Sequence, residues 1–306
     1  MSNIDTSTFS RVIENALSTV GDDDEVEIAF FGGSFTGIDR AEMISLLELA
    51  HSYVKDGRVK SVRCSTRPDY IDGKILDILQ KYGVTTVELG LQSVSDKVLS
   101  ITRRGHGFSE EDRAVRMIVE RGIKLVGQMM IGLPGSSLDD ELATAEFIIR
   151  SGATAARIYP TVVFRDTELC FMAERGEYTP LSLDEAVARS AAVLRRFVLA
   201  GLSVIRIGLC SSENLLSDST YFAGPNHPAL GELVESYLYF DLIYAEASRT
   251  CACGRDIINV SVPRGELSKA VGQRKRNKLL LAQSLGVKDV KFSECDTLAR
   301  YEVRVF

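Results

Sequence analysis

The sequence has few of the residues that most often bind metals or cross-link chains. Its 306 residues include six cysteines, three histidines and no tryptophan. The cysteines, at positions 64, 170, 210, 251, 253 and 295, have no regular spacing, which is typical of reduced cytosolic thiols rather than of a disulfide framework. The histidines lack the spacing of a zinc site, so the sequence predicts no metal ligands.

Long apolar runs are absent as well. No segment reaches the roughly 18 apolar residues that a membrane span needs, and the start, MSNIDTSTFSRVIENAL, has neither the basic nor the apolar part of a signal peptide. These absences predict a cytoplasmic protein without a membrane partner. The formal net charge of −6 excludes a globally basic nucleic-acid-binding protein but allows a local basic patch.

Apolar segments alternate with segments of helical periodicity through the first two thirds of the chain. Short apolar runs predict strands at 26–31, 59–65, 85–93, 123–132, 153–160 and 202–208. The segments between them have the apolar spacing of helices. This alternation predicts an α/β fold with a parallel sheet covered by helices.

Polar and glycine-rich residues follow five successive predicted strands. The segments are GGSFTG, STRPDY, GLQS, QMMIGLPG and RIYPT. Glycine and proline also punctuate ordinary loops, so a single segment carries little weight. Because ligands of α/β sheets bind at the carboxyl ends of the strands, five such segments in a row predict one shared site.

The residues at these strand ends exclude several kinds of chemistry. No lysine stands at a strand end, and neither a G-x-S-x-G elbow nor a G-x-x-x-x-G-K-[ST] loop is present. Glycine turns, amides, hydroxyls and arginines remain. Such groups hold a polar cofactor by hydrogen bonds and bind a carboxylate through arginine. The sequence therefore predicts a site in which a cofactor performs the reaction.

Five segments together resemble the radical S-adenosylmethionine (SAM) superfamily, in a branch similar to the catalytic subunit of Elongator. They are FFGGSFTG, STRPDYID, VELGLQSVSDKVLSITRRGH, QMMIGLPG and RIYPTVVFRDTELCFMAERGEYTPLS. The resemblance implies a partial parallel (βα) barrel, S-adenosylmethionine as cofactor, and a [4Fe–4S] cluster held by a C-x3-C-x2-C loop after the first strand. It further implies a 5′-deoxyadenosyl radical, with tRNA modification as a candidate reaction.

This chain departs from the resemblance at the cluster loop. None of its six cysteines has the C-x3-C-x2-C spacing, and the family's first strand is expected upstream of the GGSF segment. Two explanations are open: a truncated form of a radical SAM enzyme, which we favour, or a natural relative without a cluster. We therefore expect a barrel whose first strand is missing.

The resemblance also assigns cofactor contacts near the first two strands. Gly32, Gly33 and Ser34 match the glycine-rich motif whose backbone receives the amino group of S-adenosylmethionine. Ser65 stands where relatives have glutamate, and the shorter, uncharged serine puts that contact in question.

Three further positions match cofactor contacts of the family. Gln92 matches an amide of the pocket, Arg104 an arginine on the methionine carboxylate, and Gln128 a residue that reaches the ribose. Simpler roles are open for two of them. Gln92 could form hydrogen bonds with the backbone of its own loop, and Arg104 could form a surface ion pair with Glu88 or Asp96.

The alternation weakens after residue 209, which predicts an incomplete barrel over 1–209 and a small α+β unit over 210–306. Within 264–292, eight lysines and arginines stand against two acidic residues. This segment loosely resembles the KH type of RNA-binding domain, with GQRK at the G-x-x-G position. Arg274, Lys275 and Arg276 are therefore candidate RNA contacts, and a solvated helix face is the alternative. The C-x-C pair at 251–253 is expected to be structural or reactive thiols.

Three functions stay open from the sequence. The first is a radical SAM enzyme, or a truncated form of one, that acts on tRNA or another RNA. The second is a barrel without a cluster that serves as an RNA-binding or scaffold module. The third is an unrelated (βα) barrel that binds a phosphorylated small molecule at its glycine turns.

Overall fold

The computed structural model describes residues 6–21, 23–209, 220–250 and 255–306. The chain divides into two compact units, one formed by 1–129 and 139–157 and the other by 130–138 and 158–306. The predicted domain boundary at 209/210 lies at the edge of a segment outside the described residues. The C-x-C pair at 251–253 falls within another such segment. No helix within the described ranges has the length and apolar content to cross a membrane.

The main sheet is the parallel half-barrel that the sequence predicts. It contains β1 (Glu27–Phe30), β2 (Ser61–Thr66), β3 (Val84–Gln92), β4 (Lys124–Ile131), β5 (Ala155–Pro160) and β7 (Ser203–Ile207). Their order is β1-β2-β3-β4-β5-β7. Strands β1 and β2, β2 and β3, and β3 and β4 pair in parallel. All six strands were predicted from short apolar runs, and their ends differ by at most two residues from the prediction.

Eight α-helices accompany these strands within the described residues. They are α1 (Thr6–Leu17), α2 (Arg40–Lys55), α3 (Gly73–Lys81), α4 (Asp96–Ile101), α5 (Phe108–Glu120), α6 (Leu138–Arg150), α7 (Glu168–Glu174) and α8 (Leu183–Leu199). Polar side chains fix where several of them begin. The Asp39 and Asp72 carboxylates accept hydrogen bonds from first-turn N–H groups of α2 and α3, and Ser182 forms a capping box with Glu185 at α8.

The central strand β3 is buried along almost its whole length, as expected for a parallel sheet with both faces covered. The register places Ser65 beside Glu88 on the neighbouring strand, and Gly90 beside Gln128. Because side chains alternate between faces and adjacent residues of parallel strands share one, these four residues lie on a single polar face. The apolar residues between them, such as Leu89, lie on the other face, with the helix-packed core.

The second unit contains a small C-terminal α+β subdomain, which the predicted fold class includes. Its elements, with the preceding helix, are α9 (Leu230–Arg249), β9 (Ile257–Pro263), α10 (Leu267–Val271), α11 (Arg276–Leu285), β10 (Asp289–Cys295) and β11 (Arg304–Val305). Strand β9 is central, parallel to β10 and antiparallel to β11. Tyr239 and Ile243 of α9 pack with Val260 and Leu281 in one apolar core. The same unit also contains a two-stranded sheet that the sequence does not reveal, formed by β6 (Val163–Phe164) and β8 (Tyr221–Ala223).

Candidate functional site

The carboxyl ends of β1 to β4 form one edge of the half-barrel, and the predicted cofactor residues lie along it. Gly32 and Gly33 follow β1, Ser65 lies near the end of β2, and Gln92 ends β3. The parallel register brings these ends to the same side of the sheet. The expectation that the strand-end segments share one edge therefore agrees with the topology, while their role in cofactor binding stays a prediction.

The glycine turn after β1 is open on its outer side. Gly32 has a φ of 101°, a conformation that favours glycine, and a Cβ on either glycine would meet no atom within 4 Å. The following residues fix the turn. The Phe35 ring stacks on Phe30 at 4.3 Å, and the Thr36 hydroxyl bonds to the hydroxyl of Thr66 at the end of β2. This arrangement leaves exposed backbone that a polar ligand can approach closely.

Gln92 has an unusual backbone and an unsatisfied side chain. Its φ is 66°, in the left-handed region, and it is only 5% exposed. Its Oε1 is buried without a hydrogen-bond partner. This oxygen therefore accepts no hydrogen bond from the backbone of the loop. A buried acceptor without a donor points to a ligand that supplies the donor. Gln128 lies one strand away, beside Gly90, and is half-buried.

Arg104 reaches the same edge from the loop that follows α4. Arg67, directly after β2, donates to the Arg104 carbonyl oxygen and binds the Asp69 carboxylate through two hydrogen bonds of 2.9 and 2.8 Å. The Arg104 side chain has a buried Nε without a partner, and burial lowers the pKa of this guanidinium. No ion pair joins Arg104 to an acid within the described residues, so the simpler role in a surface pair with Glu88 or Asp96 is not seen. A partly buried cation of this kind fits an anionic ligand.

A buried ion network on the inner face was missed by sequence reasoning. Glu88 is 1% exposed, and its carboxylate lies 3.1 Å from Arg63 Nη1 on β2 and 2.7 Å from Arg157 Nε on β5. Arg63 also pairs with Glu27 of β1. Arg157 reaches Glu88 across the intervening strand β4, so both side chains lie on the same face of the sheet. The charged residue inside the buried segment VELGLQ was the available signal.

A second buried cluster contains His106 and Glu111, which sequence reasoning also did not assign. The His106 ring lies between Asp69, with Nδ1–Oδ1 at 3.6 Å, and Glu111, with Nε2–Oε1 at 3.4 Å. Burial raises the pKa of Glu111 to about 9 and lowers the pKa of His106. Glu111 lies on the buried, otherwise apolar face of the amphipathic helix α5. A single glutamate at such a position gives no signal in the sequence that it takes part in a functional site.

The described residues contain no donor set for an iron–sulfur cluster. Cys64 is buried in β2, Cys170 is buried in α7, and Cys295 ends β10, so the three thiols belong to separate parts of the fold. No group of three His, Cys, Asp or Glu side chains in the described ranges is arranged to hold a metal ion. A [4Fe–4S] cluster needs cysteine thiolates at close spacing, so this donor set does not fit one.

The predicted RNA contacts lie at a turn in the second unit. Gly272 has a φ of 78°, and Arg274 and Lys275 have φ values of 51° and 63°. Arg276 is the first residue of α11 and lies 3.5 Å from Asp184. The buried Asn277 amide fixes this turn by donating to the carbonyl oxygens of Ser236 and Ala270. Two helices, α10 and α11, flank this turn, and the three basic residues are exposed between them.

Two family models match the chain in succession. The model of the Radical SAM superfamily matches residues 8–148, and that of the Radical SAM C-terminal domain matches residues 153–239. The chain belongs to the radical SAM superfamily. The first match covers the edge described above, including every predicted cofactor residue.

Curated relatives of this radical SAM chain include Elongator-type proteins. A tRNA uridine(34) acetyltransferase of Methanocaldococcus infernus is 28% identical over 61% of this chain and 39% of its own length. Elongator complex protein 3 of Schizosaccharomyces pombe is 27% identical over 56% of this chain and 36% of its own. An uncharacterised protein of Methanocaldococcus jannaschii is 32% identical over 53% of this chain and 50% of its own. The chain spans half or less of the length of these relatives.

A solved structure supports the fold. The structure of Methanocaldococcus infernus Elp3 with an N-terminal deletion superposes with a TM-score of 0.62 at 24% identity, covering 74% of this chain and 56% of that one. The likeness confirms the half-barrel fold.

Proposed function

We propose that this radical SAM chain binds S-adenosylmethionine at the carboxyl edge of β1 to β4, as the cofactor-binding part of a tRNA-modifying enzyme. The observation that carries the proposal is the pair of unsatisfied buried atoms at this edge, Gln92 Oε1 and Arg104 Nε. S-adenosylmethionine offers an ammonium and a carboxylate, and these groups complement an amide oxygen and a guanidinium. The exposed backbone of Gly32 and Gly33, with Ser34, Ser65 and Gln128 nearby, supplies further polar contacts.

The described residues do not supply the cluster that the family uses to cleave S-adenosylmethionine. We therefore confine the proposal for this chain to binding and orienting the cofactor. The relatives' names support tRNA as the macromolecular substrate class, since two kinds of relative are named for tRNA uridine(34) or Elongator.

Isothermal titration with S-adenosylhomocysteine, which shares the amino, carboxylate and adenosine groups, tests the proposal. Arg104→Met removes a charge-assisted contact of about 1.5–3 kcal/mol, so we expect the Kd to rise at least tenfold. Arg121→Met is the matched control, because Arg121 pairs with Asp77 at the surface. Equal affinity in the Arg104 and Arg121 variants, or no binding to the native chain, would contradict the proposal.

We further propose that the turn formed by Arg274, Lys275 and Arg276 contacts the RNA backbone. Three adjacent exposed cations in a chain of net charge −6 support this role, as does the helix–turn–helix between parallel strands β9 and β10. Such contacts give weak, poorly selective binding that falls steeply with salt.

Changing all three residues to glutamate tests the RNA contact. We expect the variant to lose tRNA binding and the salt dependence that goes with it, since each neutralised phosphate releases a counterion. The matched control changes three exposed cations elsewhere in the subdomain to glutamate, at Arg264, Lys288 and Arg304. If both triple variants bind tRNA equally at low and at high salt, the turn is only a solubilising surface.

A further inference from the structure

A cluster of buried polar groups surrounds the Arg104 loop, and none of its members except Arg104 has a role in the function proposed above. We call Arg104, His106, Glu111, Asp69 and Arg67 the His106 cluster. Both imidazole nitrogens, both Glu111 oxygens and Arg104 Nε are buried without hydrogen-bond partners in good geometry. Unsatisfied buried groups are uncommon in native proteins, and so many in one place need a physical explanation.

The two carboxylates beside His106 differ in their surroundings. Asp69 is bound by Arg67 through two hydrogen bonds, so its negative charge is compensated. Glu111 is fully buried, and within the described ranges no arginine or lysine lies at ion-pair distance from it. A buried carboxylate without a cation is strongly disfavoured as the anion.

The titration of the cluster follows from these surroundings. Burial raises the pKa of Glu111 to about 9, against the opposing effect of Arg104 and with a further rise from Asp96. Burial lowers the pKa of His106, which also faces Asp69, Arg67, Arg104 and Glu110. At pH 7 the Glu111 carboxyl group is thus protonated and the ring is neutral. The protonated Glu111 carboxyl group can donate to Nε2, 3.4 Å away, when the ring carries its proton on Nδ1, which lies 3.6 Å from Asp69.

We propose that Glu111 and His106 are positioning residues that share one proton, and that their neutrality keeps the Arg104 guanidinium available for the carboxylate of the ligand. The inference rests on the proposed binding of S-adenosylmethionine. An ionised Glu111 would be an intramolecular carboxylate within the field of Arg104 and would compete with the ligand for its charge. When that proton is lost, Arg104 therefore pairs with Glu111 instead of with the carboxylate of the ligand.

The pH dependence of S-adenosylhomocysteine binding tests this inference. If the ionised form does not bind, the apparent Kd at pH 10 rises by the inverse of the protonated fraction, which is roughly tenfold for a pKa near 9. Glu111→Gln keeps the shape and the neutrality of the protonated carboxyl group. We expect the rise in Kd for S-adenosylhomocysteine between pH 7.5 and pH 10 to be roughly tenfold smaller in this variant than in the native chain. The ligand's own amino group titrates equally in both proteins, so the comparison cancels it.

The ligand control is 5′-methylthioadenosine, which has the adenosine moiety but neither carboxylate nor amine. We expect its affinity to follow pH equally in the native chain and in the Glu111→Gln variant. A parallel fall of S-adenosylhomocysteine affinity in both proteins would overturn the role of Glu111 and leave the proposed function standing. Absence of binding by the native chain at pH 7.5 would overturn both. Failure of Glu111→Gln to fold at pH 7.5 would also contradict a neutral Glu111, because the amide replaces a neutral group of the same shape.

Discussion

The ion network around Glu88 gives the sharpest prediction about stability. The Glu88 carboxylate is 1% exposed and lies between Arg63 and Arg157, whose side chains are 22% and 14% exposed. Glu88→Gln keeps the shape of the side chain but removes its charge. The two guanidinium groups then face each other across a neutral amide in a partly desolvated space.

The magnitude follows from the fate of the two cations. Removing one partner of a buried ion pair costs about 3–5 kcal/mol. Arg63 retains its contact with Glu27, which reduces the loss on that side. We therefore expect Glu88→Gln to lower the free energy of unfolding by about 3 kcal/mol, at the lower end of that range.

Urea unfolding followed by circular dichroism measures the effect, with Asp77→Asn as the matched control. Asp77 also pairs with an arginine, but it is 69% exposed, so its loss should change the free energy of unfolding by less than about 0.5 kcal/mol. Adding Arg157→Met to Glu88→Gln should cost less than the sum of the single changes, by about 1–2 kcal/mol. If Glu88→Gln is as mild as Asp77→Asn, the network does not stabilise the fold.

Three further predictions concern metal content, packing and thiol reactivity. Anaerobic iron–sulfur reconstitution of this chain should leave it without a stoichiometric cluster. Binding of about four irons per chain would show that its cysteines can hold a [4Fe–4S] cluster despite their spacing. Gly127→Ala should lower the free energy of unfolding by about 1–3 kcal/mol, because the new Cβ would lie 2.7 Å from Ile148. Gly33→Ala is the control, because its Cβ would meet no atom within 4 Å. Equal losses of stability in the two variants would refute the packing argument. Iodoacetamide at pH 8 should label Cys295, where a hydrogen bond from Thr297 lowers the thiol pKa, well before Cys64, where burial raises it to about 12. Peptide mass spectrometry measures the order of labelling, and earlier labelling of Cys64 would contradict this prediction.

The half-barrel could be predicted from the sequence because its signals are local. The alternation of short apolar runs with helical periodicity depends only on which residues are buried, and glycine turns such as Gly32–Gly33 report the strand ends directly. Parallel topology then brings those ends to one edge, which is why Gln92 and the β1 turn could be placed on the same side in advance.

The rest of the site was decided by tertiary structure, because it depends on contacts between distant residues. Glu88 meets Arg157 only because the strand order places β3 and β5 on either side of β4, and no local pattern encodes that approach. His106 and Glu111 become a neutral pair only when α5 buries them beside Asp69, since burial rather than residue type sets their protonation. The sequence by itself determined the fold class and the edge where the ligand is expected. The packing around that edge decided which of its charges are compensated by a neighbouring side chain and which are not.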